Sequence, residues 1–169
     1  MKVFTTPATE EDSVSLAELI EEMESFYGAT EIEPFDERLA HLREHLFGDQ
    51  PSAWAIFARD GSGHIAGMAI YSFHWPAVHT SRSLFLKELY IRKPYQRQRV
   101  GQQLMKHLCE IAVAHECSRV EWTTDRDNID AQRFYRALGF PIYEQKIFYR
   151  IDSAAFADTV RKLGDEIDS

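Results

Sequence analysis

The chain has 169 residues, 44% of them hydrophobic, enough to bury the core of one ordinary domain spanning residues 1–169. A net charge of −8 argues against nucleic acid as a partner and favours cationic small molecules. No window approaches 18 uninterrupted apolar residues, and the opening MKVFTTPATEED lacks the apolar centre of a signal peptide, so a cytoplasmic protein with no membrane partner is expected.

Residues 2–7 read as an opening strand. Ser13 to Phe26 follows as an amphipathic helix, with Val14, Leu16, Leu19, Ile20, Met23 and Phe26 at helical spacing and acidic residues filling the other side. A loop from Gly28 to Pro34 leads to a second helix, Asp36 to Phe47, which Gly48 terminates. Ala53 to Ala58 and Ile65 to Phe73 form a hairpin through the turn Asp60-Gly61-Ser62-Gly63. Strand Ser83 to Arg92 precedes a helix beginning near Val100. Then come strand Val120 to Thr124, helix Ile129 to Leu138, strand Ile142 to Arg150 and a terminal helix, Ala154 to Leu163. Hairpins followed by strand–helix–strand units predict an α/β sandwich around a mixed sheet. Cys109 and Cys117 constitute neither a disulfide framework nor a metal cluster, and both are expected to be structural. The histidines have no metal-ligand spacing, so no metal is expected.

Two segments carry the chemistry. Leu84 to Leu104 reads LFLKELYIRKPYQRQRVGQQL: an alternating strand, an arginine-rich loop, and a helix with Leu104, Met105, Leu108, Ile111 and Ala112 on one side. A donor-rich loop at a helix N-terminus is an anion site, because unpaired N–H groups point outward and the helix dipole favours negative charge. An ordinary crossover would look similar on this segment alone. Val120 to Phe140 reads VEWTTDRDNIDAQRFYRALGF: strand, polar loop, short helix.

Together the two segments resemble the GCN5-related N-acetyltransferase (GNAT) superfamily. Gln96, Arg97, Gln98, Arg99, Val100 and Gly101 match the family's pyrophosphate motif, Q/R-x-x-G-x-G/A. Asn128, Ala131, Phe134-Tyr135 and Leu138-Gly139-Phe140 match its second conserved segment. The resemblance implies the GNAT fold, a mixed and mostly antiparallel sheet flanked by helices whose central parallel strands splay around the cofactor's pantetheine arm. It also implies acetyl-CoA as cosubstrate, bound by Leu89, Tyr90, Ile91, Gln96, Arg97, Gln98, Arg99, Val100, Gly101, Gln102 and Asn128. One departure stands out. Arg99 replaces the motif's first glycine, and Arg97 sits where another glycine is frequent. Glycine would permit close backbone approach and positive φ; arginine adds a permanent cation with a fork suited to phosphate. Either the loop still cradles pyrophosphate with an arginine assisting, or cofactor affinity is damaged.

Acetyl transfer to an amine needs a neutral amine, a donor to the thioester oxygen, and a proton for the departing thiolate. An alkylammonium has a pKa near 10, so its proton must be accepted. By the resemblance, a backbone N–H on Leu89-Tyr90-Ile91 polarises the carbonyl and Tyr135 protonates the thiolate; packing is the alternative role for Tyr135. Asn128 would bond the pantetheine amides, or cap the helix at Ile129. Glu88 is the candidate base, with Glu121 and Asp125 as competitors. The diamine and polyamine branch of the family shows Leu-Glu-Asp where this chain has Leu86-Lys87-Glu88, which leaves polyamine specificity in doubt. Strand alternation would send Lys87 and Glu88 to opposite faces unless a bulge intervenes.

For the acceptor, Phe26, Tyr27, His74, Trp75 and His79 are candidates, since an aromatic rim near Glu22, Glu24, Glu31 and Glu33 could hold a cation. A merely solvated acidic face is the alternative. Three functional classes follow: a small-molecule amine N-acetyltransferase, a protein N-terminal or lysine acetyltransferase, and a non-catalytic acyl-CoA-binding domain. A covalent route through Cys109 or Cys117 lacks an adjacent histidine in the second motif. A homodimer is a possible assembly.

Overall fold

A computed structural model describes residues 2–167. They form two compact units, one running up to Asn128 and the other beginning at Ile129.

The first unit is built on a five-stranded sheet: β1 (Val3–Pro7), β2 (Trp54–Asp60), β3 (Ile65–His74), β4 (Arg82–Ile91) and β5 (Cys117–Trp122), in that spatial order. The first three pairs are antiparallel and β4–β5 is parallel, the mixed arrangement expected. Helix α1 (Ser13–Phe26) buries Leu16, Leu19 and Met23 of the apolar stripe read from sequence, with Ala17 beside them, while Val14 and Phe26 at its two ends stay exposed. The buried four pack with Leu42, Ala55, Phe57, Met68 and Tyr90 in one core cluster. Ile56 and Ala58, which alternate with Ala55 and Phe57, are also buried, so β2 is covered on both faces. Helix α3 (Val100–Ala114) packs on all five strands through Leu104, Met105, Leu108 and Ala112.

At the start of α1, Thr9 and Asp12 form a capping box, with the Thr9 N–H donating to Asp12 Oδ2 at 3.0 Å. Helix α2 (Phe35–Leu42) is shorter than the sequence suggests, because Arg43–Phe47 continues it as a π turn. Buried Arg38 ties α2 to α1 by donating to Glu21 at 2.7 Å. The expected hairpin turn is present: Asp60 Oδ1 accepts the N–H groups of Ser62 and His64 at 2.8 and 3.1 Å.

Strand β5 begins three residues before the expected Val120 and ends two before Thr124. Its early residues pair with Arg82 and Ser83 through a register shift, which sequence alternation could not reveal.

In the second unit, α4 (Ile129–Ala137) ends in a Schellman motif. Gly139 adopts φ 79°, its N–H donates to Arg136 O at 2.9 Å, and Phe140 N–H donates to Tyr135 O at 3.1 Å. The Leu138-Gly139-Phe140 sequence is thus a helix stop. Helix α5 (Phe156–Ile167) follows a short 3-10 turn at Ser153–Ala155. The expected strand over Ile142 to Arg150 is not formed: the segment is turn and irregular backbone. Apolar β-branched and aromatic residues supply propensity, but a strand needs a ladder partner, and none pairs with it among the described residues.

Candidate active site

Ladder pairing between β4 and β5 stops at Leu86↔Trp122, whereas β4 continues to Ile91. From Lys87 to Ile91, then, β4 has a strand neighbour only on its β3 side among the described residues. A strand edge left without a ladder partner can bond an extended ligand by strand addition. The predicted Leu89-Tyr90-Ile91 edge lies in this stretch.

Beyond Ile91 the chain makes a 3-10 turn at Lys93–Tyr95 and enters α3 with Arg99 as N-cap. The first intrahelical bond runs from Gln103 N–H to Arg99 O at 3.1 Å. The N–H groups of Val100, Gly101 and Gln102 precede it and are the helix's unpaired donors. The loop is braced from within: the Gln96 carboxamide donates to Ile91 O at 3.2 Å and the Gln98 carboxamide to Pro94 O at 2.7 Å. Both glutamine side chains thus shape the loop. Tyr95 anchors its outer side by donating to Asp60 Oδ2 at 2.9 Å, which holds the Asp60 carboxyl below its usual range.

A bulge does intervene on β4. Ile70 pairs with Glu88 and Tyr71 with Leu86, leaving Lys87 as the extra residue. Lys87 Nζ then reaches Glu88 Oε1 at 3.3 Å, so the candidate base carries its own counter-ion. Two of the aromatic candidates, Phe26 and Tyr27, lie together, and Tyr27 is within electrostatic reach of Glu88. Phe26 at the end of α1 meets Tyr27 edge-on at 5.3 Å and Tyr90 at 5.8 Å between ring centres. Burial pushes the Tyr27 phenol up, and the negative charges of Glu88 and Asp125 push it further. These two carboxylates therefore share one electrostatic neighbourhood with Tyr27. Beside them, Tyr90 donates to Glu22 Oε1 at 3.1 Å and Arg92 Nε donates to Glu22 Oε2 at 2.9 Å. Burial, then the Glu22 contact and its charge, push the Tyr90 phenol up to about 12, so it stays protonated at any working pH.

Other candidates lie elsewhere. His74 pairs with Ser83, four residues along β3 from Ile70, roughly 13 Å away at strand rise. It stacks on Phe85 at 4.9 Å, and Trp75 donates to Thr80 O at 2.8 Å. His79, at φ 52°, belongs to the same β3–β4 connection. The structure does not bring these three to the Phe26–Tyr27–Glu88 cluster. Glu121 is bound by Arg119 at 2.9 Å. Asn128 closes a turn by donating its N–H to Asp125 O at 3.1 Å. Tyr135 lies in α4, half-buried, with its ring 5.1 Å from that of Phe134.

Two residues have places here that the sequence does not show. Glu22 was visible as one of several acids, but its clamp on Tyr90 and Arg92 depends on α1 crossing β4. Lys2 carried no signal at all, and it stands beside the arginine loop.

Residues 16–140 match the acetyltransferase (GNAT) family. The chain belongs to that family. An aminoglycoside N(6′)-acetyltransferase type 1 from Serratia marcescens is 32% identical over 69% of this chain and 80% of its own length. An L-ornithine N5-acetyltransferase from Arabidopsis thaliana is 25% identical over 48% of this chain; the match spans about a third, 36%, of that protein's length. Among solved structures, an integron cassette protein from the mobile metagenome of V. cholerae superposes with a TM-score of 0.85 at 25% identity, covering 95% of this chain and 99% of that one. The aminoglycoside acetyltransferase AAC(6′)-Iy, in complex with a bisubstrate analogue joining CoA to an acetylneamine, gives 0.71 at 20% identity, covering 90% and 99%. The chain is thus a member of the acetyltransferase (GNAT) family, and the two sequence relatives above are named for an aminoglycoside and for ornithine.

Proposed function

We propose that this GNAT protein moves the acetyl group of acetyl-CoA to a primary amine of a small cationic molecule by direct attack. The observation that carries the reading is the parting of β4 from β5 after Leu86, next to the loop and helix N-terminus of α3. We read the two compact units as one functional domain, since the family match crosses Asn128. The pyrophosphate is assigned to the Val100–Gln102 amides and the Arg97–Arg99 loop, the pantetheine to the free β4 edge with Asn128. The acceptor is assigned to the Phe26–Tyr27–Glu88 neighbourhood, where two carboxylates and aromatic faces favour a cation.

In the reaction, the ammonium loses a proton to Glu88 or to water bonded to it. The neutral nitrogen forms a bond to the acetyl carbon while an N–H of Leu89–Ile91 stabilises the oxyanion. The carbon–sulfur bond breaks as the Tyr135 hydroxyl protonates the departing thiolate, and the second proton, released by the nitrogen as the amide forms, returns through water to the Tyr135 phenolate. Tyr90 has no part as a base, because it holds its own proton up to about 12. Release of free CoA thiol, measured across aminoglycosides, diamines, basic amino acids and an unacetylated peptide, tests the proposal. Turnover with a small amine is expected; turnover with the peptide alone, or with no acceptor, would overturn it.

A further inference from the structure

Lys87 is the extra residue of the β4 bulge, and it sits where β4 has just lost its β5 neighbour, Leu86 being the last residue paired to β5. In a regular strand Lys87 and Glu88 would point to opposite faces. The bulge ends that alternation. Lys87 Nζ lies 3.3 Å from Glu88 Oε1, so the two side chains end in one space, the acceptor neighbourhood beside Tyr27. Glu88 is the one carboxylate that Lys87 contacts among the described residues.

That contact is easily exchanged. The Lys87 side chain is 69% exposed and the Glu88 side chain 32%, and an ion pair this open to water holds its partners weakly. The flexible lysine stem lets the ammonium swing to another anion nearby. Charge around Tyr27 is thus mixed: Glu88 and Asp125 are negative and Lys87 is positive. A diamine approaching Glu88 brings two ammonium groups and nothing to receive Lys87. Lys87 must then stay on Glu88 and block it, or stand against a like charge, and both outcomes select against such an acceptor. An acceptor that carries a carboxylate as well as the amine removes the conflict. Its carboxylate takes Lys87, its ammonium takes Glu88, and one ion pair becomes two.

We propose that Lys87 is a specificity-determining residue that receives the carboxylate of the acceptor, so that the protein takes a basic amino acid in preference to the diamine that remains when the carboxylate is removed. The inference rests on the acceptor assignment above and narrows it, from small cationic amines in general to those that also bear a carboxylate. Lys87 takes no part in the bond changes. It decides which molecules leave Glu88 open to the ammonium.

Steady-state release of CoA thiol from acetyl-CoA, with L-lysine, cadaverine and L-lysinamide as acceptors, tests it in wild type, Lys87→Gln and Lys87→Glu. Cadaverine is lysine without its carboxylate, and lysinamide keeps the size while removing the negative charge. In wild type, kcat/KM for lysine should exceed that for either of the others by at least about 10-fold, carried mainly by KM, the reach of one charge-assisted contact. Lys87→Gln should lower the lysine value and raise the cadaverine value, each several-fold, and Lys87→Glu should invert the preference. The Lys87 side chain is exposed, so Lys87→Gln keeps the test open if the charge reversal disturbs β4. A substitution that only loosened β4 would lower all three acceptors together, so the ratio separates recognition from structure. Equal use of lysine and cadaverine by wild type, or a ratio unchanged in Lys87→Gln, would overturn the proposal while leaving acetyl transfer to a small amine intact. So would turnover of cadaverine or an aminoglycoside by wild type with none of lysine. Failure of wild type to acetylate any amine would overturn both readings at once.

Discussion

Arg99 caps α3 in a left-handed conformation where the family pattern has glycine. A residue with a Cβ is worse there by roughly 1–2 kcal/mol, partly offset by the greater freedom glycine has when unfolded. Arg99→Gly should therefore leave stability unchanged or raise it by up to about 1 kcal/mol, while acetyl-CoA affinity falls with the lost cation. Urea denaturation and calorimetry read the two effects separately, and a clearly destabilised variant would contradict the strain. Tyr135 makes a different kind of claim. Removing its hydroxyl in Tyr135→Phe should lower kcat by about 10- to 100-fold, at or below the bottom of the roughly 100- to 10,000-fold that a positioned acid contributes, because the CoA thiolate is a fair leaving group. Acetyl-CoA affinity should stay within a few-fold, because the ring that meets Phe134 remains. Full activity in that variant would leave the thiolate to be protonated by solvent. The loop and the helix that carry these two proposed residues were legible in sequence, because motif spacing reports local geometry around one loop and one helix. The Glu88 neighbourhood was not, since it depends on an extra residue at Lys87 and on the end of α1 reaching over β4.

Elements were legible to the extent that their patterns were local. The apolar stripe of α1 and the Asp60–Gly63 turn follow from spacing and turn chemistry, and both are present. The start of β5 and the unformed strand at 142–150 depend on which partner a segment finds, which propensity does not encode. Gly67 shows how closely one such pairing is set. It faces Ile91 across β3–β4, and a Cβ there would lie 2.5 Å from Tyr90 O and 2.8 Å from Ile91 Cδ1. The first obstacle is backbone, so relief requires moving the end of β4, the stretch that borders the gap. Gly67→Ala should cost about 1–3 kcal/mol in stability, the range for overpacking. It should also lower kcat/KM by displacing the Leu89–Ile91 edge. Denaturant unfolding together with steady-state kinetics checks both, and a variant with native stability would mean that β4 yields more easily than its pairing suggests.

Across the molecule, charge is distributed rather than merely abundant. Part of the acidity of α1 is held in internal clamps such as Arg38–Glu21 and Glu22 with Tyr90 and Arg92, while Lys2, Arg97 and Arg99 stand together beside the α3 loop. The Glu22 clamp joins α1 to the far end of β4 and has a definite pH signature. In the unfolded chain a tyrosine ionises near 10. In the fold, burial and the bond to Glu22 push Tyr90 up to about 12. The native state thus holds the proton more tightly than the unfolded state. Its contribution is complete below pH 10 and is lost as pH rises through about 12. Tyr27, Tyr71 and Tyr95 are also raised, chiefly by burial in the first two and by Asp60 in the third, so wild-type stability should fall over the same range from several sources. A comparison with Tyr90→Phe isolates one of them. Near pH 7 the variant should be less stable by about 1.5 kcal/mol, the low end for a hydrogen bond to a charged group because Glu22 is partly solvated. Between pH 10 and 12 wild type should lose stability faster than the variant, and the gap should close. Urea midpoints measured at half-unit steps across that interval decide the matter: parallel curves would show that Tyr90 does not carry the proton that links α1 to β4.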